Sequence, residues 1–262
     1  MNTTLTISSS AAALMGLSVY IYYLHRSLDR ATHRLTRAGA VAAAQCVELQ
    51  NLESVNDADQ IFGSGRFFSV YERAWRVVPK ENLPGDSILS KVVVTAADDT
   101  KEEEDEAKKG YEEKLLTAYL RHNMFMFSRY LPQSYLIWLM ITPNKRSTFG
   151  AAHIQNLRFC EGDVVCGMYK VLLRRAGKVE FGIDVPDTNI EGRLVVGICR
   201  TEEEKEGVQV YSETVMWRPV DRPGLVMPLE RALPRFMHEL AAWWLLDSGV
   251  KYLVGLGVNK DV

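Results

Sequence analysis

The longest amphipathic pattern of the chain lies near its carboxyl end, over Leu229–Val254. At 100° per residue, one broad stripe of this segment is apolar and aromatic, and polar side chains such as Arg235 and Glu239 fall on the other side. The stripe consists of Leu233, Phe236, Met237, Leu240, Ala241, Trp243, Trp244 and Leu245. This spacing predicts a long helix that needs an apolar surface to cover.

Strand-like segments precede this helix in close succession. The breaks between them carry turn residues, which is typical of consecutive hairpins in an antiparallel meander. The five predicted strands are Ala152–Glu161, Val164–Arg174, Lys178–Val185, Arg193–Cys199 and Val208–Val220. Apolar and polar positions alternate in them, so that Val179, Phe181 and Ile183 share one face. Such a sheet has one face to cover, and we expect the terminal helix to cover it.

Two further strands and two helices are predicted upstream of the meander. Arg66–Val78 alternates well and ends before a proline, and three consecutive valines favour a short strand over Ser87–Thr95. Glu112–Ile141 has apolar residues at helical spacing, with a break at Pro132 that predicts two helices. The apolar run Tyr135–Ile141 is predicted to be buried core rather than a membrane contact.

The amino-terminal pattern is different, because Leu5–Leu24 contains no charged residue over 20 positions. That length can cross a bilayer as a helix. Tyrosines end the run and arginines follow it, which favours an uncleaved anchor whose carboxyl end stays in the cytosol. A cleaved signal peptide is the alternative, but its basic residues would precede the apolar run. We therefore expect a single-pass protein of the endoplasmic reticulum membrane with a cytosolic carboxyl-terminal domain.

The pattern divides the chain into three parts. Residues 1–26 are the predicted membrane anchor. Residues 27–65 are predicted to be a helical stalk, over Ser27–Leu52, followed by a polar linker. Residues 66–262 are the predicted ligand-binding or catalytic domain, an α+β fold in which a curved antiparallel sheet packs on the terminal helix.

Composition excludes some classes of function. Hydrophobic residues make up 47% and charged residues 24% of the chain, which is normal for a globular domain with a sizeable core. The net charge of −2 gives no support to nucleic acid as a partner, because binding it needs a concentrated basic face.

The reactive residue types show no recognised spacing either. Four cysteines are dispersed without a metal or redox motif, and we expect them to be buried thiols in a reducing compartment. They are Cys46, Cys160, Cys166 and Cys199. The sequence contains no metal-ligand cluster, phosphate loop or nucleophile motif, so neither a metal nor a cofactor is expected.

The order of the predicted elements resembles the helix-grip superfamily over Arg66–Val254. This superfamily includes the START-domain and pollen-allergen-like (SRPBCC) proteins, in which a curved antiparallel sheet wraps a long carboxyl-terminal helix. The resemblance implies an apolar cavity between sheet and helix. A hot-dog thioesterase-like domain is the alternative, but it would place its long helix before most of the strands. The chain also resembles membrane-anchored proteins of fungal natural-product clusters, among which norbornene-forming Diels–Alderases act as cofactor-free cyclases.

A cavity of this kind should have apolar and aromatic walls with a few polar groups that orient the ligand. Aromatic residues of the sheet and the terminal helix are the predicted walls, with ordinary core packing as the alternative for each. They are Tyr169, Phe181, Trp217, Trp243 and Trp244.

Three polar residues are predicted to be catalytic. Glu213 lies between Tyr211 and Val215 on one strand face, and burial there would raise its pKa and let it donate a proton at neutral pH. An outward Glu213 on a solvated face is the alternative. Tyr211 and His153 are the other candidate donors, which would polarise a carbonyl as charge develops on it.

Three more polar residues are predicted to contact the substrate. Gln155 shares one side of its predicted strand with His153, and His238 lies at the border of the helix stripe. Asp247 is an acid that falls on this stripe, and an arginine partner from the sheet is its simpler interpretation.

These features lead to three hypotheses of function. The first is a membrane-anchored, cofactor-independent cyclase for a hydrophobic terpenoid or polyketide intermediate of secondary metabolism, which acts by preorganisation and hydrogen bonding next to partner enzymes of the same biosynthesis. The second is a non-catalytic lipid or sterol carrier that uses the same cavity. The third is a membrane scaffold whose aromatic helix docks a partner protein.

Overall fold

The structure is a computed structural model that describes residues 3–40, 52–56, 58–93, 104–184, 189–200, 207–222 and 224–258. In this part of the chain the fold is α+β, with an open antiparallel sheet of seven strands. The strands are β1 (His33–Gly39), β2 (Phe67–Pro79), β3 (Val164–Val165), β4 (Tyr169–Arg175), β5 (Lys178–Asp184), β6 (Glu191–Arg200) and β7 (Gly207–Pro219). Their order across the sheet is β1-β2-β7-β6-β5-β4-β3.

Two long helices lie together on one face of this sheet. The helices of the described chain are α1 (Thr3–Ala31), α2 (Ala58–Gly63), α3 (Asp86–Val92), α4 (Glu104–Tyr130), α5 (Pro132–Met140), α6 (Ala151–Asn156) and α7 (Ala232–Val258). Short 3-10 turns cover Lys80–Asn82, Pro143–Phe149 and Pro228–Glu230. Helices α4 and α7 contact each other and the strands β2, β6 and β7. The predicted terminal helix and the break at Pro132 are therefore confirmed.

Strand alternation builds a separate apolar cluster on each face of the sheet. On β7, Val208 and Val210 face the helices, whereas Val215 and Trp217 face the other side. That second face is covered by α2 and by residues 52–56, which contribute Phe62, Leu52 and Val55 to its cluster. Both faces of the sheet centre are thus buried, although the alternation alone suggests a single covered face.

The close contact of α4 with α7 depends on a glycine. A Cβ added at Gly249 of α7 would overlap the ring of Tyr119 on α4. Tyr119 is 1% exposed, and it packs in the same core as Leu116 and Leu120. The absence of a side chain at Gly249 therefore lets an aromatic ring fill the space between the helices.

Two predicted strands are wrong, because burial selects helices instead. The three valines of Ser87–Thr95 predict a strand. In the structure, residues 86–92 form α3, and Leu89 is fully buried in the core. The predicted strand Ala152–Glu161 begins with the helix α6, which buries Ile154. In both cases the tertiary contacts of one or two apolar residues outweigh a weak local preference for strand.

Other boundaries also differ from the predicted pattern. The predicted helical stalk is wrong over residues 33–39, which form β1 and pair with β2. Residues 41–51 lie outside the described chain. The predicted strand Val164–Arg174 is divided into β3 and β4 by Cys166 and Gly167, both of which have positive φ angles. Cys160 and Cys199 are exposed rather than buried, Cys166 is buried as expected, and Cys46 lies outside the described residues.

The predicted anchor lies within α1, which rests against α7. Ile21, Leu24 and Leu28 of α1 join the core, and the ring of His25 lies 5.1 Å from that of Trp243. Among the described helices, no segment combines the length and the hydropathy that a bilayer crossing requires.

The predicted burial of Tyr135–Ile141 is wrong. These residues belong largely to α5, where Leu136 is 61%, Leu139 is 65% and Met140 is 82% exposed. The helix is held by its first turn, where Ser134 is buried and Gln133 Nε2 donates to the Met237 carbonyl at 3.0 Å. Ile137 packs against the core, and the other apolar side chains of α5 are largely exposed.

Candidate functional site

A cavity lies between the helix-covered face of the sheet and the helices α4 and α7. Its volume is about 160 Å³. An enclosed apolar space of about 150 Å³ is enough to hold a benzene molecule. Its apolar walls are Leu120, Met124, Phe127, Ile183, Leu194, Val196, Ala241, Ala242, Leu245 and Leu246. Its polar lining is Tyr119, Asn123, Gln133, Tyr169, Ser212, Thr214 and His238. The composition of the walls suits a small, mostly apolar ligand.

The cavity exists because small side chains face each other across it. On α7 the lining residues Ala241 and Ala242 stand beside the bulkier Trp243 and Trp244. On β7 the lining residues are Ser212 and Thr214. Protein cores are closely packed and leave few voids, so a space of this size shows that the side chains here do not fill the core completely.

One wall of the cavity is polar and connects to charged groups of β2 and α7. His238 Nε2 lies 3.7 Å from Glu72 Oε2, and Arg235 Nε donates to Glu72 Oε1 at 3.0 Å. A smaller space of about 20 Å³ lies behind this wall and shares His238, Ser212 and Thr214 with the cavity. We call His238, Glu72 and Arg235 the polar cluster.

Burial sets the protonation of the polar cluster. Desolvation lowers the pKa of His238 to about 4, although a third of its side chain is exposed. Desolvation also raises the pKa of Glu72, opposed by the charge of Arg235 and assisted by that of Glu239. His238 is therefore a neutral imidazole at pH 7, with one nitrogen that donates and one that accepts a hydrogen bond.

Two amide side chains of the cavity lining have a buried carbonyl oxygen. Within the described residues, Asn123 Oδ1 and Gln133 Oε1 are buried and accept no hydrogen bond. The orientation of Gln133 follows from its Nε2, which donates to the Met237 carbonyl. Asn123 Oδ1 lies close to Gly249 on the neighbouring helix.

The structure places Tyr169, a predicted wall, and His238, a predicted substrate contact, in the cavity lining. Phe181 is fully buried behind the lining, with its ring 6.4 Å from that of Tyr169. Trp243 lines the smaller space and packs against His25 of α1, whereas Trp244 is half-buried in the core and lines neither space.

The structure places Tyr211, Glu213 and Trp217 on the opposite face of the sheet, which corrects their expected position. Glu213 Oε1 lies 3.5 Å from Arg73 Nε, and the Arg73 guanidinium lies 5.0 Å above the Tyr211 ring. The ring of Trp217 meets that of Phe62 at 5.5 Å. The helices cover the even-numbered residues of β7, so these odd-numbered ones cannot reach the cavity.

The remaining predicted residues lie away from the cavity. His153 and Gln155 are on the helix α6 rather than on a strand, and His153 Nε2 lies 2.9 Å from the Val164 carbonyl. Gln155 is exposed. Asp247 forms an ion pair with Arg76 of β2, so its simpler interpretation, an arginine partner from the sheet, is confirmed.

Sequence reasoning missed several lining residues that had a readable signal. Ser212 and Thr214 are the polar positions between the residues that were selected on the same strand. Glu72 is an acid between Val70 and Ala74 on one face of a strand, which is the pattern used to select Glu213. Asn123 and Gln133 had no such signal, since their positions depend on how α4 and α5 pack.

Comparison with known proteins does not assign this cavity to a class. No protein-family model, curated protein or solved structure matches the chain. Within the described residues, no three or more His, Cys, Asp or Glu side chains are grouped so that they could hold a metal ion. Function is therefore argued from the cavity and its polar wall.

Proposed function

We propose that the chain is a cofactor-independent cyclase, of the pericyclase or Diels–Alderase-like type, for a hydrophobic terpenoid or polyketide intermediate. The observation that carries this proposal is the cavity of about 160 Å³, whose mostly apolar walls carry a few polar groups, among them His238 and Thr214. Apolar walls can fold a flexible substrate into a reactive conformer, and positioning alone can contribute several kcal/mol to the rate.

The polar wall supports the chemical part of the proposal. A neutral His238 can donate a hydrogen bond to a substrate carbonyl, and the hydroxyl of Thr214 is a second donor on the same side. Donors fixed in a dry site stabilise charge that develops in a transition state. The reaction itself converts π bonds of the substrate into ring σ bonds, so substrate and product have the same mass.

The strand order supports a helix-grip-like fold. The helices α4 and α5 lie between β2 and β3 in the chain, β3–β7 follow as a meander, and α7 comes last. Strand β2 pairs with β7, and β1 adds one strand outside it. This is the element order on which the resemblance rests, with an added edge strand.

We propose that the amino-terminal segment holds the protein at the endoplasmic reticulum membrane, with the sheet domain in the cytosol. Tyr20, Tyr22 and Tyr23 of α1 are each more than half exposed, and Arg26 and Arg30 follow them. Aromatic rings followed by basic residues are typical of the membrane interface on the cytosolic side. Hydrophobic intermediates partition into the same place.

A metabolite comparison tests the cyclase. We expect a strain that lacks the chain to accumulate an acyclic compound and to lose a cyclic product of identical mass. The wild-type chain should restore the product. The variant Ala242→Phe should not, because its ring fills the cavity. Ala152→Phe, at an exposed position of α6, is the matched control and should restore it.

The second candidate, a lipid or sterol carrier, would use the same cavity. It would show no pair of isomers in the metabolite comparison, but the purified wild-type chain would retain an extractable lipid that Ala242→Phe loses. A chain with neither an isomer pair nor a bound lipid would contradict both proposals.

A further inference from the structure

The described chain carries a concentrated exposed apolar surface on α5. Leu136, Leu139 and Met140 are each more than 60% exposed, and Tyr135 is 57% exposed. A soluble monomer rarely exposes large apolar residues side by side unless the surface contacts something. We call the exposed side chains of this helix the α5 patch.

Two other exposed apolar elements lie at the same end of α7. Helix α5 is bonded to Met237 through Gln133, and α1 contacts the adjacent residue Phe236 through His25, with ring centroids 5.4 Å apart. Leu233, in the first turn of α7, is 72% exposed. The α5 patch and Leu233 therefore lie near the beginning of α7, and α1 contacts the same part of that helix through His25.

The sequence on both sides of α5 carries charge of one sign. The sequence contains no acidic residue from Arg129 to Cys160, although the whole chain has a net charge of −2. Arg129 and Lys145 are exposed in this stretch, and the Arg146 guanidinium lies 4.1 Å from the centre of the Trp138 ring. Apolar and aromatic side chains flanked by basic ones match the boundary between lipid tails and anionic headgroups.

We infer that α5 inserts shallowly into the surface of a bilayer that contains anionic lipid, as a second membrane contact next to the amino-terminal segment. The occupant is lipid rather than protein because the basic flank and the Tyr and Trp residues accompany the apolar ones on a single short helix. Gln133 joins this helix to the cavity lining, so the contact places the cavity beside the membrane. That last consequence and the membrane contact of the amino-terminal segment rest on the proposed function, whereas the insertion of α5 does not.

Hydrogen exchange of the full-length chain tests the inference region by region. The probe is a vesicle of phosphatidylcholine with phosphatidylserine, and pure phosphatidylcholine vesicles are the comparison. We expect the amides of residues 132–140 to exchange more slowly with the anionic vesicles than in solution, and less so with the neutral ones. Protection of α1 without protection of α5 would overturn the inference.

A variant pair gives a second readout. The double substitution Leu136→Ser, Leu139→Ser should weaken partition to the anionic vesicles about ten-fold, because two exposed apolar contacts are lost. Val258→Ser removes an exposed apolar residue at the far end of α7 and should leave partition unchanged. Because no ligand is added, this test can succeed even if the cyclase proposal fails.

The main competing occupant is a second copy of the chain. In that case sedimentation would show a dimer that the double substitution dissociates, and vesicles would give no protection of α5. That result would overturn the inference.

Discussion

At the scale of single residues, the site depends on which of two neighbouring side chains faces the helices. The sequence pattern favours Tyr211 and Glu213 as catalytic residues, because they lie on one strand face with apolar neighbours. In the structure, however, Ser212 and Thr214 line the cavity. Side chains of a strand alternate between faces, so a shift of one residue exchanges the whole set. The alternation of polar and apolar residues on β7 is present as predicted, but Tyr211 and Glu213 lie on the face of the sheet that α2 covers.

Glu180 shows what a buried carboxylate does on that second face. It is fully buried, and it accepts hydrogen bonds from the backbone amides of Glu53 and Ser54 and pairs with Lys178 at 3.0 Å. Burial opposes its ionisation, but the bonds from Ser54 and Lys178 hold the pKa of Glu180 below its ordinary value. Its role is to fix residues 52–56 on the sheet.

We predict that Glu180→Gln lowers the free energy of unfolding by about 2–3 kcal/mol, since it leaves part of a buried charged network unpaired. Urea denaturation measures this change. Glu191→Gln, at an exposed partner of Arg193, is the control and should have little effect. Equal midpoints for the two variants would show that Glu180 does not hold the segment.

The lowered pKa of His238 predicts a pH dependence of stability. The unfolded chain binds a proton with the ordinary pKa of 6.5, and the folded chain with a pKa of about 4. Stability should therefore fall as the pH falls from 6.5 towards 4. Glu72, whose pKa is raised, contributes with the opposite sign, so the test is the difference between variants rather than the whole slope.

The measurement is the urea midpoint at several pH values. His238→Gln should lose less stability than the wild type over that window, and His153→Gln serves as the control for replacing a histidine. The charged groups near His238 are Glu72, Glu239, Arg34 and Arg235, and all remain in both variants. If His238→Gln lost as much stability between pH 7 and pH 5 as the wild type does, the lowered pKa of His238 would be contradicted.

At the level of secondary-structure elements, α4 and α7 pack closely because both have apolar side chains at their contact and because Gly249 leaves room for a ring of the other helix. The amphipathic stripe of α7 was readable, and it correctly predicts a covering helix. That α4 is its partner could not be read, because the close approach at Gly249 involves Tyr119, more than a hundred positions away in the sequence. Packing of helices depends on such local fits.

Substitution of two glycines of α7 tests whether the helices are in close contact at Gly249. Gly249→Ala should destabilise the fold by about 1–3 kcal/mol, because its methyl group overlaps the Tyr119 ring. Gly255→Ala has open space around it and should stabilise by up to about 1 kcal/mol through helix propensity. Thermal unfolding of both variants measures the two effects. A stabilising Gly249→Ala would show that the helices are not in contact there.

At the scale of the whole molecule, the arrangement joins three features along α7. Its first turns lie near the exposed apolar elements, its middle lines the cavity, and its later part packs on Tyr119. The polar cluster at His238 therefore lies near the beginning of α7, one residue after the Met237 carbonyl that accepts the hydrogen bond from α5.

Local sequence patterns are enough to predict that this chain has an alternating antiparallel meander and a long aromatic helix that covers it. They also predict that the helical segment breaks at Pro132 and that Asp247 needs a partner. These properties follow from local periodicity and from the cost of burying charge, which act within a few residues or on one side chain.

Contacts between distant segments, in contrast, set which face of β7 borders the cavity, the exposure of α5, and the addition of residues 33–39 to the sheet as a strand. Alternation shows which residues share a face, but both faces of this sheet are buried, so it does not show which face the helices cover. An apolar helix such as α5 looks the same in sequence whether it packs on protein or on lipid. The difference lies in contacts between distant segments.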